Sequence, residues 1–223
     1  MKVLWITPIQ IDPASANDRT GGWLRALLEE LSCDNQVQLT VAFASSSPSI
    51  NMVRGVMYIG CYFANDVGWL QGQNPLVKLI ANIINALFPI KRNLHDVLDL
   101  DSYDIVHVHG LENTLWYKLP SNQLPVVISI QGVLTDCARG FWSNIPWRSR
   151  VRMPKQVLRQ VDMFVRAFNQ RADMTRFRNF MCRTSYDRMF VLTQIPAAYI
   201  YHDDRVLRNE FYQSPIWVAR SPQ

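Results

Sequence analysis

The sequence predicts an α/β fold, a Rossmann-like parallel sheet flanked by helices, forming one domain over residues 1–223 with a basic helical insertion at 144–179. Three observations carry this expectation. The chain opens as strand, glycine-bearing loop, amphipathic helix and strand, the starting unit of a parallel sheet. The same alternation returns along most of its length. Val126 to Ile130 (VVISI) is rich in β-branched residues and nearly all apolar, the composition of a strand buried on both faces.

Taken in order, Val3 to Ile6 is the first strand, and Thr7-Pro8 opens a polar stretch that reaches Thr20. After Gly21-Gly22 the period changes. Leu24, Leu27, Leu28 and Leu31 fall at i, i+3, i+4 and i+7, one stripe of a helix that Asn35 terminates. Val37 to Ala44 and Val56 to Cys61 read as the next two strands. A helix starts at Pro75 with Asn74 as cap, and Leu76, Leu79, Ile80, Ile83 and Leu87 share a face. Asp104 to His109 is a strand, Asn113 to Leu119 a short helix, and Val126 to Ile130 the following strand. Strands near Phe180 and at Ala198 to Tyr201, separated by a helix from Ser185 to Gln194, extend the sheet. The insertion opens with Pro146-Trp147 and continues as a helix from Pro154. At 100° per residue Val157, Val161, Phe164, Val165 and Phe168 cover one side of it, with Lys155, Arg159, Asp162 and Arg166 opposite. The apolar side is expected to pack and the charged side to be wet.

At 223 residues and 48% apolar content the chain can fill a substantial core, which excludes disorder as its default state. Its net charge of +5 is local: residues 1–138 hold 8 basic and 12 acidic side chains, whereas Arg139 to Arg188 holds 12 basic and 3 acidic ones. Cys33, Cys61, Cys137 and Cys182 form no CxxC pair and stand near no histidine cluster, which points to a reducing compartment and away from zinc. The first ten residues lack a leader's cleavage site, and no window supplies the roughly 20 apolar residues of a membrane span. A cytoplasmic protein is expected, with any membrane contact peripheral.

Several motifs bear chemistry. Gly21-Gly22 before a helix would let backbone N–H groups approach a phosphate where the helix start adds positive potential; the same pair also suits a turn needing positive φ. No G-x-G-x-x-G follows the first strand and no acid ends the second, which disfavours a dinucleotide enzyme, and a P-loop is absent. His107 and His109 share a strand face in VHVHG, with Gly110 at the carboxyl end, where open α/β sheets collect ligands. For His107 a hydrogen-bonded structural role is the simpler reading. The next strand ends in Gln131-Gly132, beside His109-Gly110 if the strands are neighbours. Arg183, Thr184 and Asp187 open a helix, which a cap and an Arg183–Asp187 pair would explain without ligand, and Asp203 or Asp204 caps another helix start. Phe141, Trp142, Trp147, Arg148, Arg150 and Arg152 form a basic, aromatic segment that suits phosphates or anionic headgroups, or else a solvated surface.

Together MKVLWITPI, the glycine pair, YDIVHVHG, PVVISIQG, CRTSYDRMF and AAYIYHDDRVLRNEFY resemble the amino-terminal domain of family-4 retaining glycosyltransferases, enzymes of bacterial surface-polysaccharide and lipid-linked sugar synthesis. The resemblance implies half of a two-domain GT-B enzyme. Gly21 and Gly22 would approach the donor diphosphate, His109, Gly110, Gln131 and Gly132 would line the acceptor side of the interdomain cleft, and Arg183, Thr184 and Asp187 would lie near it. Cys182 and Tyr186 depart from the glycine and tryptophan of the pattern, and Gln131 stands where many relatives have histidine. No second Rossmann-like unit follows Phe211-Tyr212, so a donor-binding domain absent from this chain, and a chain inactive alone, are expected. The expected co-substrate is a nucleotide sugar, the acceptor a saccharide or lipid-linked sugar, and the chemistry metal-independent, with no cofactor and no nucleic-acid partner. The rival reading is a non-catalytic α/β module that binds an anionic membrane or polysaccharide.

Overall fold

The computed structural model describes residues 1–8, 11, 22–45, 47–62, 98–111, 125–150 and 152–203, together with 77, 80, 81, 83, 84, 87, 92–94, 117 and 118. Its strands are β1 (Lys2–Thr7), β2 (Gln38–Ser45), β3 (Ser49–Val53), β4 (Val56–Tyr62), β5 (Arg92–Asn93), β6 (Ile105–His109), β7 (Tyr117–Lys118), β8 (Val126–Ser129), β9 (Asn179–Cys182) and β10 (Tyr199–His202). The α-helices are α1 (Gly22–Ser32), α2 (Leu134–Gly140), α3 (Trp147–Arg150), α4 (Pro154–Met174) and α5 (Ser185–Gln194). Eight strands form one sheet in the order β10-β9-β8-β6-β1-β2-β4-β3, and all pairings are parallel except β3 with β4. The fold is Rossmann-like.

Strand alternation divides the core between the two faces of this sheet. Leu4, Ile6, Val106, Val108 and Ile128 point to one face, where Met174 of α4, Phe177 and Val191 of α5 cover them. Val3, Trp5, Val41 and Phe43 point to the other, under Leu24 of α1 with Leu27, Leu28 and Leu31 beside it. The leucine stripe in the sequence therefore marks the packed side of α1. The two-residue turn Arg54-Gly55 has positive φ at both positions, 51° and 79°, a geometry that matches the twist of the β3–β4 hairpin. The sequence reading had no strand at Ser49–Val53. Its signal was the short VRGV turn between two apolar residues that pair across the hairpin, Val53 with Val56.

Two expectations change. Tyr117 and Lys118, read as helix, form a two-residue strand paired in parallel with Arg92–Asn93; residues 112–116 lie outside the described ones. The helix expected from Pro75 holds where it is described: Ile80, Ile83 and Leu87 are helical, Ile80 and Leu87 being 43% and 53% exposed, while Leu76 and Leu79 lie outside the described residues. The larger change concerns α4. Pro154 does start it, as its missing N–H and fixed φ favour. The expected packed face, however, faces solvent: Val157, Val161, Phe164 and Phe168 are all exposed. The helix packs instead through Ala167, Gln170, Asp173 and Met174, with Gln160 reaching inward. Glutamines win this side because the neighbouring turns present backbone and indole groups that need partners: Gln160 accepts from Trp142 Nε1 at 2.6 Å and donates to the Ala138 carbonyl at 3.1 Å.

Candidate functional site

The strand order fixes where a ligand would meet this sheet. From β1 the chain moves outward to β2 and β4, then crosses back to β6 and continues outward the other way through β8, β9 and β10. The order reverses between β1 and β6, and in open α/β sheets the crevice at the carboxyl ends of such a pair is the ligand site. Trp5 and His107 are register partners across this seam, and His109 ends β6.

At this seam the rings converge. The His107 and His109 centroids are 3.9 Å apart, Trp5 meets His109 edge-on at 4.5 Å, and Trp23, the second residue of α1, stands 5.7 Å from His109. Gly22 therefore brings the amino-terminal end of α1 to the same place, with the partial positive charge of a helix start. Gly21 lies outside the described residues. Gly110 follows with φ of 89°, which glycine adopts without strain, and its N–H donates to the Ser129 carbonyl at 3.1 Å.

The two histidines differ in what they touch. His107 Nε2 and Ser129 Oγ share a hydrogen bond of 2.7 Å, the structural role expected for it, and burial lowers its pKa to about 4. His109 is fully buried, and neither ring nitrogen has a hydrogen-bond partner among the described residues. Burial first, then the neighbouring His107, holds its pKa well below the ordinary imidazole value. Both rings are neutral at physiological pH. A neutral imidazole offers one donor and one acceptor, suited to a hydroxyl, and no charge for a phosphate.

Gln131 and Gly132 continue from β8 beside His109-Gly110, since β6 and β8 are neighbours. Their backbone is held from two sides. Arg183 Nη2, just past β9, donates to the Gln131 carbonyl at 2.7 Å. Gln170 of α4 donates to the Gly132 carbonyl at 2.9 Å and accepts from the Leu134 N–H at 3.3 Å. Arg183 thus acts on the loop, which replaces the expected pair with Asp187. The cap itself is present: Thr184 accepts from the Asp187 N–H and Asp187 accepts from the Thr184 N–H, both at 3.1 Å, a reciprocal capping box. Tyr186, where the pattern has tryptophan, donates its hydroxyl to Asp136 and ties α5 to α2. Asp204 lies outside the described residues, and the Asp203 N–H donates to the Cys182 carbonyl at 3.1 Å.

The basic aromatic segment is rearranged. Trp142 is buried rather than presented to a surface, and Arg150 folds back onto it, donating to the carbonyls of Trp142 at 2.9 Å and Ile145 at 2.8 Å. Arg150 therefore staples the turn before α3 instead of facing an anion. Arg148 and Arg152 are exposed. The Trp147 side chain lies outside the described ones. Gln170 was missed in the sequence because an amide in a long helix looks like surface; its neighbour Ala167, which permits close approach, was the available hint. A cavity of about 250 Å³ is lined by Ile11, by Arg25, Leu28 and Glu29 of α1, and by Val53 and Arg54 of the β3–β4 hairpin. Among the described residues no group of three or more histidine, cysteine or acidic side chains is placed to hold a metal, and no helix is long and apolar enough to cross a membrane.

No protein-family model matches this chain, and no curated protein sequence matches it. Among solved structures it is similar to α,α-trehalose 6-phosphate synthase from Burkholderia multivorans, at 14% identity and a TM-score of 0.42. That likeness covers 87% of this chain and 43% of the other, so the chain spans under half the length of the structure it matches.

Proposed function

We propose that this chain is the acceptor-side domain of a GT-B glycosyltransferase that moves a sugar from a nucleotide-sugar donor to a saccharide or lipid-linked acceptor in surface-polysaccharide synthesis. The observation that carries the reading is the convergence at the β1–β6 switch point: a buried, neutral His109 without a partner among the described residues, directly beside the start of α1. Neutral imidazole suits a sugar hydroxyl as donor or acceptor, and the helix start suits a diphosphate. Gln131 adds an amide at the next strand end, and Arg183 and Gln170 fix the loop that bears it. Transfer with retention and without a metal belongs to the same proposal, with helix-end and side-chain cations stabilising the leaving diphosphate. In this reading a second α/β domain holds the nucleotide, and this domain alone does not turn over.

Calorimetric titration with a panel of nucleotide sugars tests the proposal, using this chain alone and the same chain joined to its donor-side domain. Binding by the joined form only, with turnover lowered at least about 100-fold in His109→Phe, is the expected outcome. Tight binding by this chain alone would place the donor site here and refute the acceptor-side assignment.

A further inference from the structure

Strand β3 ends the large sheet without the usual guard on an edge. Strands in that position ordinarily carry a lysine, a proline or a bulge that keeps other chains from adding to them. Ser49–Val53 reads SINMV, with no charge and no proline, and all five residues pair in regular register with β4. Ile50 and Met52 are 73% and 61% exposed, two apolar side chains on an open edge. The hairpin decides which backbone groups are open beside them. Its two-residue turn, Arg54-Gly55, closes on Val53 and Val56, and in such a hairpin the closing pair exchanges both of its hydrogen bonds. Alternation then turns the N–H and C=O of Val53, Asn51 and Ser49 toward β4, and those of Met52 and Ile50 outward. Among the described residues no other strand or loop takes up these outward groups.

We infer that β3 pairs with β3 of a second copy of this chain, antiparallel about a two-fold axis at Asn51, so that two sheets join into one. The strand is self-complementary in that register. Ile50 faces Met52 of the second copy and, by symmetry, Met52 faces Ile50, which makes four backbone hydrogen bonds and gathers four apolar side chains on one face. A slip of one residue would set the outward groups of one copy against the inward groups of the other, and a slip of two would bring Arg54 or Pro48 into the pairing. Charge does not oppose the match: Arg54 falls opposite Pro48, and the two Arg54 positions stand about 20 Å apart, beyond the screening length of physiological salt. The contact is smaller than the ~800 Å² per partner of a standard interface, so the association is weak and depends on concentration. β2 and β4 separate this edge from the β1–β6 seam, so the pairing and glycosyl transfer stand or fall separately.

Sedimentation velocity of the chain from about 5 to about 500 µM tests the pairing, a range suited to so small a contact. A dimer that grows with concentration is expected, and Met52→Lys, which puts a charge on the edge, is expected to weaken it at least about tenfold. Disulfide capture reads the register, in a chain whose exposed Cys33 and Cys137 are replaced by serine. Across the two-fold axis the Cα atoms of Asn51 come within about 4.5 Å, inside disulfide reach, whereas those of Ile50 are about 8 Å apart. Mild oxidation should therefore link Asn51→Cys between copies at least about tenfold faster than Ile50→Cys. Circular dichroism checks that each variant keeps the fold. A chain monomeric throughout, a dimer indifferent to Met52→Lys, or linkage as fast through Ile50→Cys as through Asn51→Cys would overturn the inference.

Discussion

Acidification should loosen this domain through its paired histidines, and the size of the effect follows from their burial. An unfolded imidazole titrates near 6.5, whereas the folded His107 titrates at about 4 because burial penalises its charged form. The folded value lies below the unfolded one, so the histidine's contribution is complete above pH 6.5 and is lost as the pH falls toward 4. Between pH 7 and pH 5 the unfolded ring takes up about three-quarters of a proton and the folded ring about a tenth of one. Linkage then gives a loss of about 2 kcal/mol from His107 alone. His109 adds a loss in the same direction, from burial and from its neighbour. The assay is urea unfolding followed by far-ultraviolet circular dichroism at the two pH values, for the parent chain and His107→Gln. Glutamine can still reach Ser129 but cannot titrate, so it should reduce the pH-dependent loss by about 2 kcal/mol while background carboxylate effects cancel. Identical losses in the two proteins would refute the argument that His107 is kept neutral by its surroundings.

Thr184→Ala should cost α5 its reciprocal cap and lower stability by about 1 kcal/mol, read as a shift in the urea midpoint at unchanged slope. Gln170→Leu keeps the volume but strands the Gly132 carbonyl and Leu134 N–H, and is expected to destabilise by about 2 kcal/mol with faster amide exchange in the 131–134 loop. Native-state thiol titration should count two fast cysteines, the exposed Cys33 and Cys137, while Cys61 and Cys182, buried and pushed up to about 11, react only on unfolding. Gly60→Ala would bring its new methyl to 2.3 Å from Ser49 Oγ, so a loss of about 1 kcal/mol is expected, recovered in part by adding Ser49→Ala.

The sheet was legible because its strands are buried on both faces and announce themselves as apolar runs, from Val3 to Ile6 through Val126 to Ile130. α1 was legible for a related reason, as its leucine stripe is the side that packs. The same argument failed for α4. Periodicity tells which side of a helix is apolar, and only the tertiary contacts tell which side meets the protein. Gln160 and Gln170 were chosen by backbone groups from residues 132–138 and by the Trp142 indole, and no helical spacing encodes that demand. Strand β3 stayed hidden because its exposed Ile50 and Met52 alternate with polar residues over only five positions. Within the site, adjacency of His109 and Gln131 was conditional on strand order, and Arg183 followed its spacing toward Asp187 on paper while its guanidinium turned to a carbonyl one strand away.

The single reversal of strand order also divides the molecule mechanically. Residues 2–62 build one wing of the large sheet and residues 105–202 the other, and among the described residues the ladder of that sheet joining them is β1 against β6. Four register pairs, from Val3 with Ile105 to Ile6 with Val108, act as the zip between two halves that are each continuous in sequence. A chain severed in the intervening segment would therefore yield two pieces with matching faces, so split-protein reassembly, or new termini placed between the wings, is an option that the topology itself provides.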